Sequence, residues 1–247
     1  MSYERFAFVY DALMEDVPYD RWISMFIGEM QRAGASGKAV LDVGCGTGEF
    51  SVRLAKEGFE VSGVDLSEDM LSIAREKAGE QKVTLNLYHQ NMAQLETGET
   101  YDGIVIFCDS LNYLQFPEDV KSTFAAVYGH LKPGGVFMFD VHSVHKIEDV
   151  FINATFADAG EDVSYIWNSF SGEEAHSVEH ELTFFVKDPT KDVYERFEED
   201  HYQRTYPIDT YKQWLTDTGF KIERITADFT DQSPDGKSER IMFVVSK

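Results

Sequence analysis

The sequence predicts an α/β fold: a largely parallel sheet with helices on both faces, carrying a separate antiparallel β insertion. Three observations lead there. Apolar runs of strand length alternate with helix-period segments between Lys38 and Val141. One of those runs, Ile104-Val105-Ile106-Phe107, is apolar on both faces, as a strand covered on both sides requires. Between about Val163 and Tyr206 the hydrophobic period changes to two, the mark of half-solvated antiparallel strands.

Taken in order, Lys38 to Val43 is a short apolar strand that ends in a glycine cluster. Glu49 to Glu57 carries Phe50, Leu54 and Ala55 at helical spacing. Phe59 to Val64 is a second strand stopped by Asp65, and Ser67 is placed to cap the helix Glu68 to Gly79. Val83 to His89 and Tyr101 to Cys108 are the third and fourth strands. Pro117 to Leu131 is a helix with proline near its start, stopped by the turn Lys132-Pro133-Gly134-Gly135. Val136 to Val141 is the fifth strand. Such alternation argues for parallel strands joined by helical crossovers. Three longer strands are then expected, Val163 to Phe170, Ala175 to Lys187 and Val193 to Tyr206, turning at Ser171-Gly172 and Asp188-Pro189-Thr190. In the middle one Val178, His180, Leu182, Phe184 and Val186 share a face. A helix at Thr210 to Asp217 stops at Gly219, and Phe220 to Phe229 with Arg240 to Ser246 close the chain as a hairpin. The division is a core of residues 1–145 and 206–247, with an antiparallel insertion at 146–205 read as a substrate lid.

The chain has 247 residues, 43% of them hydrophobic, enough for a sizeable core. Its formal charge of −22, with no Lys/Arg cluster, argues against nucleic acid and anionic membrane as partners. No apolar run is long enough for a membrane span, and Met1 to Asp11 lacks the pattern of a secretory signal. Two cysteines, Cys45 and Cys108, are too few for a disulfide framework, so a reducing cytoplasm is expected. The insertion alone carries 15 of the 44 acidic residues and 5 of the 22 basic ones. That reads either as a solvated outer sheet face or as a lid that disfavours anionic substrates.

The strongest local signal is Val40-Leu41-Asp42-Val43-Gly44-Cys45-Gly46-Thr47-Gly48. A strand feeds straight into glycines at alternate positions, where the backbone must turn sharply and admit a ligand without a Cβ in the way. The helix that follows presents unpaired N–H groups to a polar ligand. Asp65 ends the next strand, roughly 20 residues on, where a carboxylate can accept from both ribose hydroxyls. The bland alternative is an ordinary tight turn.

With Val61-Ser62-Gly63-Val64-Asp65-Leu66-Ser67 following it, this stretch resembles the class I S-adenosylmethionine-dependent methyltransferases. The resemblance covers about residues 38–143 and again 208–247. It rests on GxGxG spacing at Gly44, Gly46 and Gly48, whereas nicotinamide-binding folds use GxGxxG and here have Glu49 at the third glycine. It implies a Rossmann-like seven-stranded sheet of order 3-2-1-4-5-7-6 with the last strand antiparallel. The implied cofactor is S-adenosylmethionine, leaving as S-adenosylhomocysteine, and the implied reaction is methyl transfer to a small molecule. A non-catalytic cofactor-binding module and, further off, an NAD-dependent oxidoreductase are the alternatives.

Position by position, the resemblance places Asp42, Gly44, Cys45, Gly46, Thr47 and Gly48 around the methionine end of the cofactor. It places Asp65 on the ribose, Leu66 and Met70 around adenine and ribose, and Asn91-Met92 at the adenine edge, where the family usually carries an Asp. Asp109 falls near the cofactor's amino group or the reaction centre. The aromatic stretch Tyr3 to Trp22 reads equally as an amphipathic core helix or as the cap of small-molecule members, with the Tyr10 ring over the sulfonium.

Acceptor-side candidates follow from the strand ends: Asn112 and Tyr113 after strand four, His142 after strand five, and Tyr202, His201 and Arg204 from the third insertion strand. Of these, His142 combines a side-chain type able to exchange a proton near neutrality with the right edge of the sheet, so it is the candidate general base, with Tyr113 the other catalytic candidate. Arg204 alternatively pairs with Glu198 or Asp200. His176-Ser177-Val178-Glu179-His180 spells H-x-x-E-H, but that zinc motif works on a helix and this segment has strand period, so no metal is expected. Cys45 and Cys108 read as small buried hydrophobes, or as thiols bordering the cofactor pocket.

Overall fold

The computed structural model describes residues 9–11, 13, 14, 17–188, 190, 191 and 193–247. Residues 3–8, 12, 15 and 16 of the aromatic N-terminal stretch lie outside them. The core runs α1 (Tyr19–Arg32), β1 (Ala39–Val43), α2 (Glu49–Lys56), β2 (Glu60–Asp65), α3 (Glu68–Glu80), β3 (Leu85–His89), β4 (Tyr101–Ile106), α4 (Pro117–His130) and β5 (Leu131–His142). The insertion holds β6 (Thr155–Ala159), β7 (Val163–Ser171), β8 (Ser177–Lys187) and β9 (Tyr194–Arg204). Then α5 (Ile208–Thr218), β10 (Lys221–Ala227) and β11 (Arg240–Ser246) complete the core.

The main sheet has the order β10-β11-β5-β4-β1-β2-β3. Its first five strands pair in parallel, and β11 runs antiparallel to both β5 and β10. In core-strand numbering this is the expected 3-2-1-4-5-7-6. Alternation along β4 explains why the sheet is covered twice: Ile104 and Ile106 pack with Phe124, Phe137 and Tyr211, while Val105 and Phe107 pack with Trp22, Phe26 and Phe50. Both sets are almost fully buried, and each large side chain contributes about 1.5–3 kcal/mol. No helix among the described residues is long and apolar enough to cross a membrane.

Two expectations are corrected. The insertion sheet has four strands, β6-β7-β8-β9, and not three; β6, Thr-Phe-Ala-Asp-Ala, is an edge strand with mostly exposed residues and so carries no clear apolar pattern. The strand β5 starts at Leu131, the last residue of the expected helix, and runs through the expected turn: Leu131 pairs with Tyr101 and the register slips before Gly103 meets Val136. The Gly134 N–H and the Gly135 carbonyl bond to Lys247, so this irregular stretch is tied to the chain end.

The inner face of the insertion sheet has two halves. Leu182, Phe184 and Phe197 pack on Val9, Tyr10 and Met70, whereas His180, His201 and Gln203 are buried polar residues further along. Strand β9 thereby comes to lie against the loop after β4.

Candidate active site

Each glycine of the turn after β1 is required for a different reason. Gly44, Gly46 and Gly48 all have positive φ, which other residues adopt at a cost. A Cβ on Gly44 would lie 2.8 Å from the Ser110 Cβ, and one on Gly48 would lie 2.9 Å from the Ala74 Cβ. A Cβ on Gly46 would meet nothing nearer than a Tyr10 ring carbon at 3.9 Å, so this glycine borders open space. Asp65 holds the turn from β2: its Oδ2 accepts from Gly46 N at 2.8 Å and its Oδ1 from Ser67 N at 2.8 Å. Burial raises the Asp65 carboxyl above its usual range, and those N–H groups only partly offset it. Beside it Leu66 is 68% exposed, an apolar side chain left in solvent at the rim of the turn.

Asp42 lies beneath the turn, buried, with its Oδ2 accepting from Ser51 Oγ at 2.6 Å. Burial pushes its carboxyl up to about 7. Above the turn, Thr47 Oγ1 donates to Asp11 at 2.5 Å, and Lys77 bridges Asp11 at 2.8 Å and Glu49 at 2.9 Å. These bonds latch the N-terminal segment that carries Tyr10 over the glycines. Burial raises the Tyr10 hydroxyl well above its usual pKa, with Cys108, Tyr113 and Asp109 among the groups acting on it. Tyr10 therefore faces the loop after β4. Asn91 caps the turn of helix at Met92–Gln94 by accepting from Ala93 N, which engages one of the two lone pairs of its carbonyl oxygen.

The loop after β4 is strained. Cys108 and Asp109 have φ of 55° and 50°, a left-handed pair without a glycine. The Asp109 N–H donates to Asp140 Oδ2 at 3.1 Å, which holds the backbone in that shape. The carboxylate is then fully engaged: Arg240 reaches Oδ1 at 2.9 Å, and Gln203 Nε2 at 2.8 Å and His142 Nε2 at 3.3 Å reach Oδ2. Burial alone would raise Asp109, but the neighbouring His142 and the Arg240 guanidinium outweigh it and hold the carboxyl well below its usual range. Arg240 also forms an ion pair with the fully buried Asp140 and lies over the Trp22 ring.

His142 is clamped at its backbone as well. Its N–H donates to Asn112 Oδ1 at 2.9 Å and its carbonyl accepts from Thr205 Oγ1 at 2.6 Å. With Nε2 turned to Asp109, the neutral imidazole is set as the Nε2–H tautomer, leaving the lone pair on Nδ1. The Phe151 ring packs edge-on at 5.2 Å and fixes the plane of the imidazole.

Several sequence candidates take other places. Asn112 is fully buried, its amide spent on His142 N and the Arg204 carbonyl, so it is a tie between loop and insertion. Tyr202 and Arg204 fall on the opposite face of β9 from His201 and Gln203, because strand side chains alternate. Tyr202 instead closes over Gly172. Arg204 pairs with Glu174 at 3.2 Å and donates to the Gln115 carbonyl, not with Glu198 or Asp200. Tyr113 reaches His201 Nδ1 at 3.2 Å. His176 bonds Glu148 and His180 bonds Trp167, so the H-x-x-E-H histidines diverge, and no metal-ligand cluster occurs among the described residues. Gln203 and Arg240 were missed; neither sits in a motif, and only the tertiary fold brings them 94 and 131 residues back to Asp109.

Residues 40–135 match the model of a family described as a methyltransferase domain. The crystal structure of an S-adenosylmethionine-dependent methyltransferase from Clostridium acetobutylicum ATCC 824 is 32% identical, covers 99% of this chain and 98% of its own, and superposes with a TM-score of 0.90. A relative named as a methyltransferase in Geobacillus sp. (strain WCH70) is 53% identical across the full length of both chains. The chain belongs to the S-adenosylmethionine-dependent methyltransferases. The methyltransferase also shares 47% identity, over all of this chain and 98% of the other, with a relative so named in Bacillus subtilis (strain 168). It is 28% identical over 209 residues, 81% of this chain and 80% of the other, to the dTDP-3-amino-3,4,6-trideoxy-alpha-D-glucopyranose N,N-dimethyltransferase of Streptomyces venezuelae. S-adenosylmethionine is the methyltransferase's cofactor, and the turn fits it: Gly46 borders open space, with the Asp65 carboxylate and exposed Leu66 alongside.

Proposed function

We propose that this methyltransferase acts on a small-molecule acceptor bearing a nitrogen or oxygen nucleophile, with His142 taking the acceptor's proton. The Asp109–His142 pair carries the reading. Its carboxylate is held ionised, its imidazole is clamped, and Nδ1 makes no hydrogen bond among the described residues. A base oriented by a buried carboxylate is the arrangement needed to accept a proton as a nucleophile forms its new bond.

When bound, the cofactor supplies a methyl already activated by the sulfonium, so the protein's work is alignment and exclusion of water. The backbone of Gly44 to Gly48, with Cys45 and Thr47, would cradle the methionine end, Asp65 would accept from the ribose hydroxyls, and Leu66, Met70 and Met92 would flank adenine and ribose. Asn91 keeps one lone pair for the adenine edge, and Tyr10 would roof the sulfonium. Asp42 would act on the methionine end from below. Asp109 is reassigned from a cofactor contact to the partner of His142, because its oxygens are already engaged. Residues 146–205 act as the lid over a core formed by 1–145 and 206–247. The free thiols Cys45 and Cys108 favour a reducing cytoplasm as the place of work.

The Streptomyces venezuelae relative's aminosugar name supports a small polar acceptor, and the net charge argues against nucleic acid. The test is incubation of the purified chain with S-adenosylmethionine and a panel of small amines, hydroxyl compounds, peptides and RNA, following S-adenosylhomocysteine. Turnover with a small amine or hydroxyl compound is expected. Turnover confined to peptides or RNA would overturn the reading.

A further inference from the structure

The insertion does more than cover the strand ends. Three consecutive residues at the end of β9 and just past it grip the catalytic pair and the Asn112 that holds it. Gln203 Nε2 donates to Asp109 Oδ2, the Arg204 carbonyl accepts from Asn112, and Thr205 Oγ1 donates to the His142 carbonyl. Asn112 in turn receives the His142 N–H. The insertion and the core therefore share one hydrogen-bonded unit at this point, with Gln203 the member that touches the carboxylate.

The direction of the Gln203 amide is dictated from the insertion side. Trp167 Nε1 can only donate, and it donates to His180 Nδ1 at 2.9 Å. His180 therefore carries its proton on Nε2. Burial pushes His180 down to about 4, so the ring is neutral near pH 7. Its Nε2 is buried without a partner in hydrogen-bond geometry, and Gln203 is the neighbouring amide that acts on the ring. A donor on that side favours the amide oxygen there, which turns the amide NH2 toward Asp109. Asp109, held ionised, can only accept.

We propose that Gln203 is a positioning residue for methyl transfer: its amide, aimed from the insertion, holds Asp109 Oδ2 in line with His142 and shares that oxygen's charge with the imidazole. The proposal rests on the reading of His142 as proton acceptor. Oδ2 accepts from both Gln203 and His142, so the two donors compete. Removing the amide leaves Oδ2 to the imidazole alone, and the protonated ring gains stability. The other groups facing the pair stay in place in such a variant: Arg240 and Glu239 at the start of β11, Asp140 on β5, Cys108 and Tyr10 on the cofactor side, and His180 and His201 on the insertion.

The experiment is an NMR titration of the histidine rings in the full-length chain, with His142 assigned through His142→Asn. It compares wild type with Gln203→Leu and Gln203→Glu, and calorimetric binding of S-adenosylhomocysteine reports that each variant is folded. The expected result is a His142 midpoint raised by about 0.5 pH unit or more in Gln203→Leu. A larger rise is expected in Gln203→Glu, which sets a second negative charge beside the pair. A midpoint unchanged or lowered in a variant that binds S-adenosylhomocysteine would overturn the proposal. Should Gln203→Leu fail to fold, Gln203→Met, of similar length and without the amide, decides by the same criterion. No acceptor is needed, so an acceptor panel that refuted small-molecule turnover would leave this result standing on its own.

Discussion

The His142 imidazole and the Asp109 carboxylate meet at 3.3 Å across two neighbouring strands, and that carboxylate is simultaneously fixed by Arg240 from a third. The relationship separates binding from chemistry. Replacing His142 by Ala should leave S-adenosylmethionine affinity within about twofold while lowering kcat by about 10²–10⁴ on the acceptor found by the panel. Calorimetry and steady-state kinetics on the same preparation check it, and an undiminished kcat would remove His142 from the reaction.

Asp65 should behave in the opposite way. Its loss removes a charge-assisted hydrogen bond to the turn at Gly46 and, on the proposed reading, those to the cofactor ribose, worth about 1.5–3 kcal/mol each. Asp65→Ala is expected to weaken S-adenosylmethionine binding by about 10–100-fold. Affinity equal to wild type would place the ribose elsewhere.

Asp42 gives the fold a pH dependence of defined sign. Its folded value of about 7 lies above the ordinary 3.8, because burial disfavours the charged form. Between those values the folded chain holds a proton that the unfolded chain releases, so stability falls as pH rises from about 4 to 7 and levels off above. The contribution is on the order of a few kcal/mol. Asp42→Asn keeps an acceptor for Ser51 and should be more stable than wild type at pH 8 but not at pH 4, as read by urea denaturation. Equal stabilities at pH 8 would contradict the buried charge.

The two thiols should be slow to react. Burial raises both Cys45 and Cys108 well above their usual pKa, with nearby carboxylates adding to it. Thiolate is therefore scarce near neutrality. An aromatic disulfide reagent at pH 8 should titrate them at full rate only after unfolding. Rapid reaction of the folded chain would show that the loop after β4 opens.

Much of this could be read from the chain alone because local chemistry fixed it. The glycine turn declares itself through three residues whose φ must be positive, and the doubly apolar β4 announces a sheet covered on both sides. Alternation along β8 sent His180 inward and Glu179 outward as expected. What failed was whatever depended on partners distant in sequence. Tyr202, His201 and Arg204 are expected on one cavity, but strand alternation keeps only His201 of the three on the buried face and brings Gln203 in beside it. Asn112 looked like a ligand-binding amide, yet its partners, Arg204 and His142, are supplied by the tertiary fold. Strand β6 escaped notice because an exposed edge leaves no hydrophobic rhythm.

The paired left-handed residues Cys108 and Asp109 carry a consequence for heat tolerance. A segment kept out of its preferred shape relaxes once its restraints weaken, and here Cys108 packs on the apolar core while Asp109 is held by hydrogen bonds and ion pairs. On warming, the loop should let go while the surrounding sheet is still intact. Turnover would then vanish several degrees below the calorimetric transition, and cooling should restore it in full.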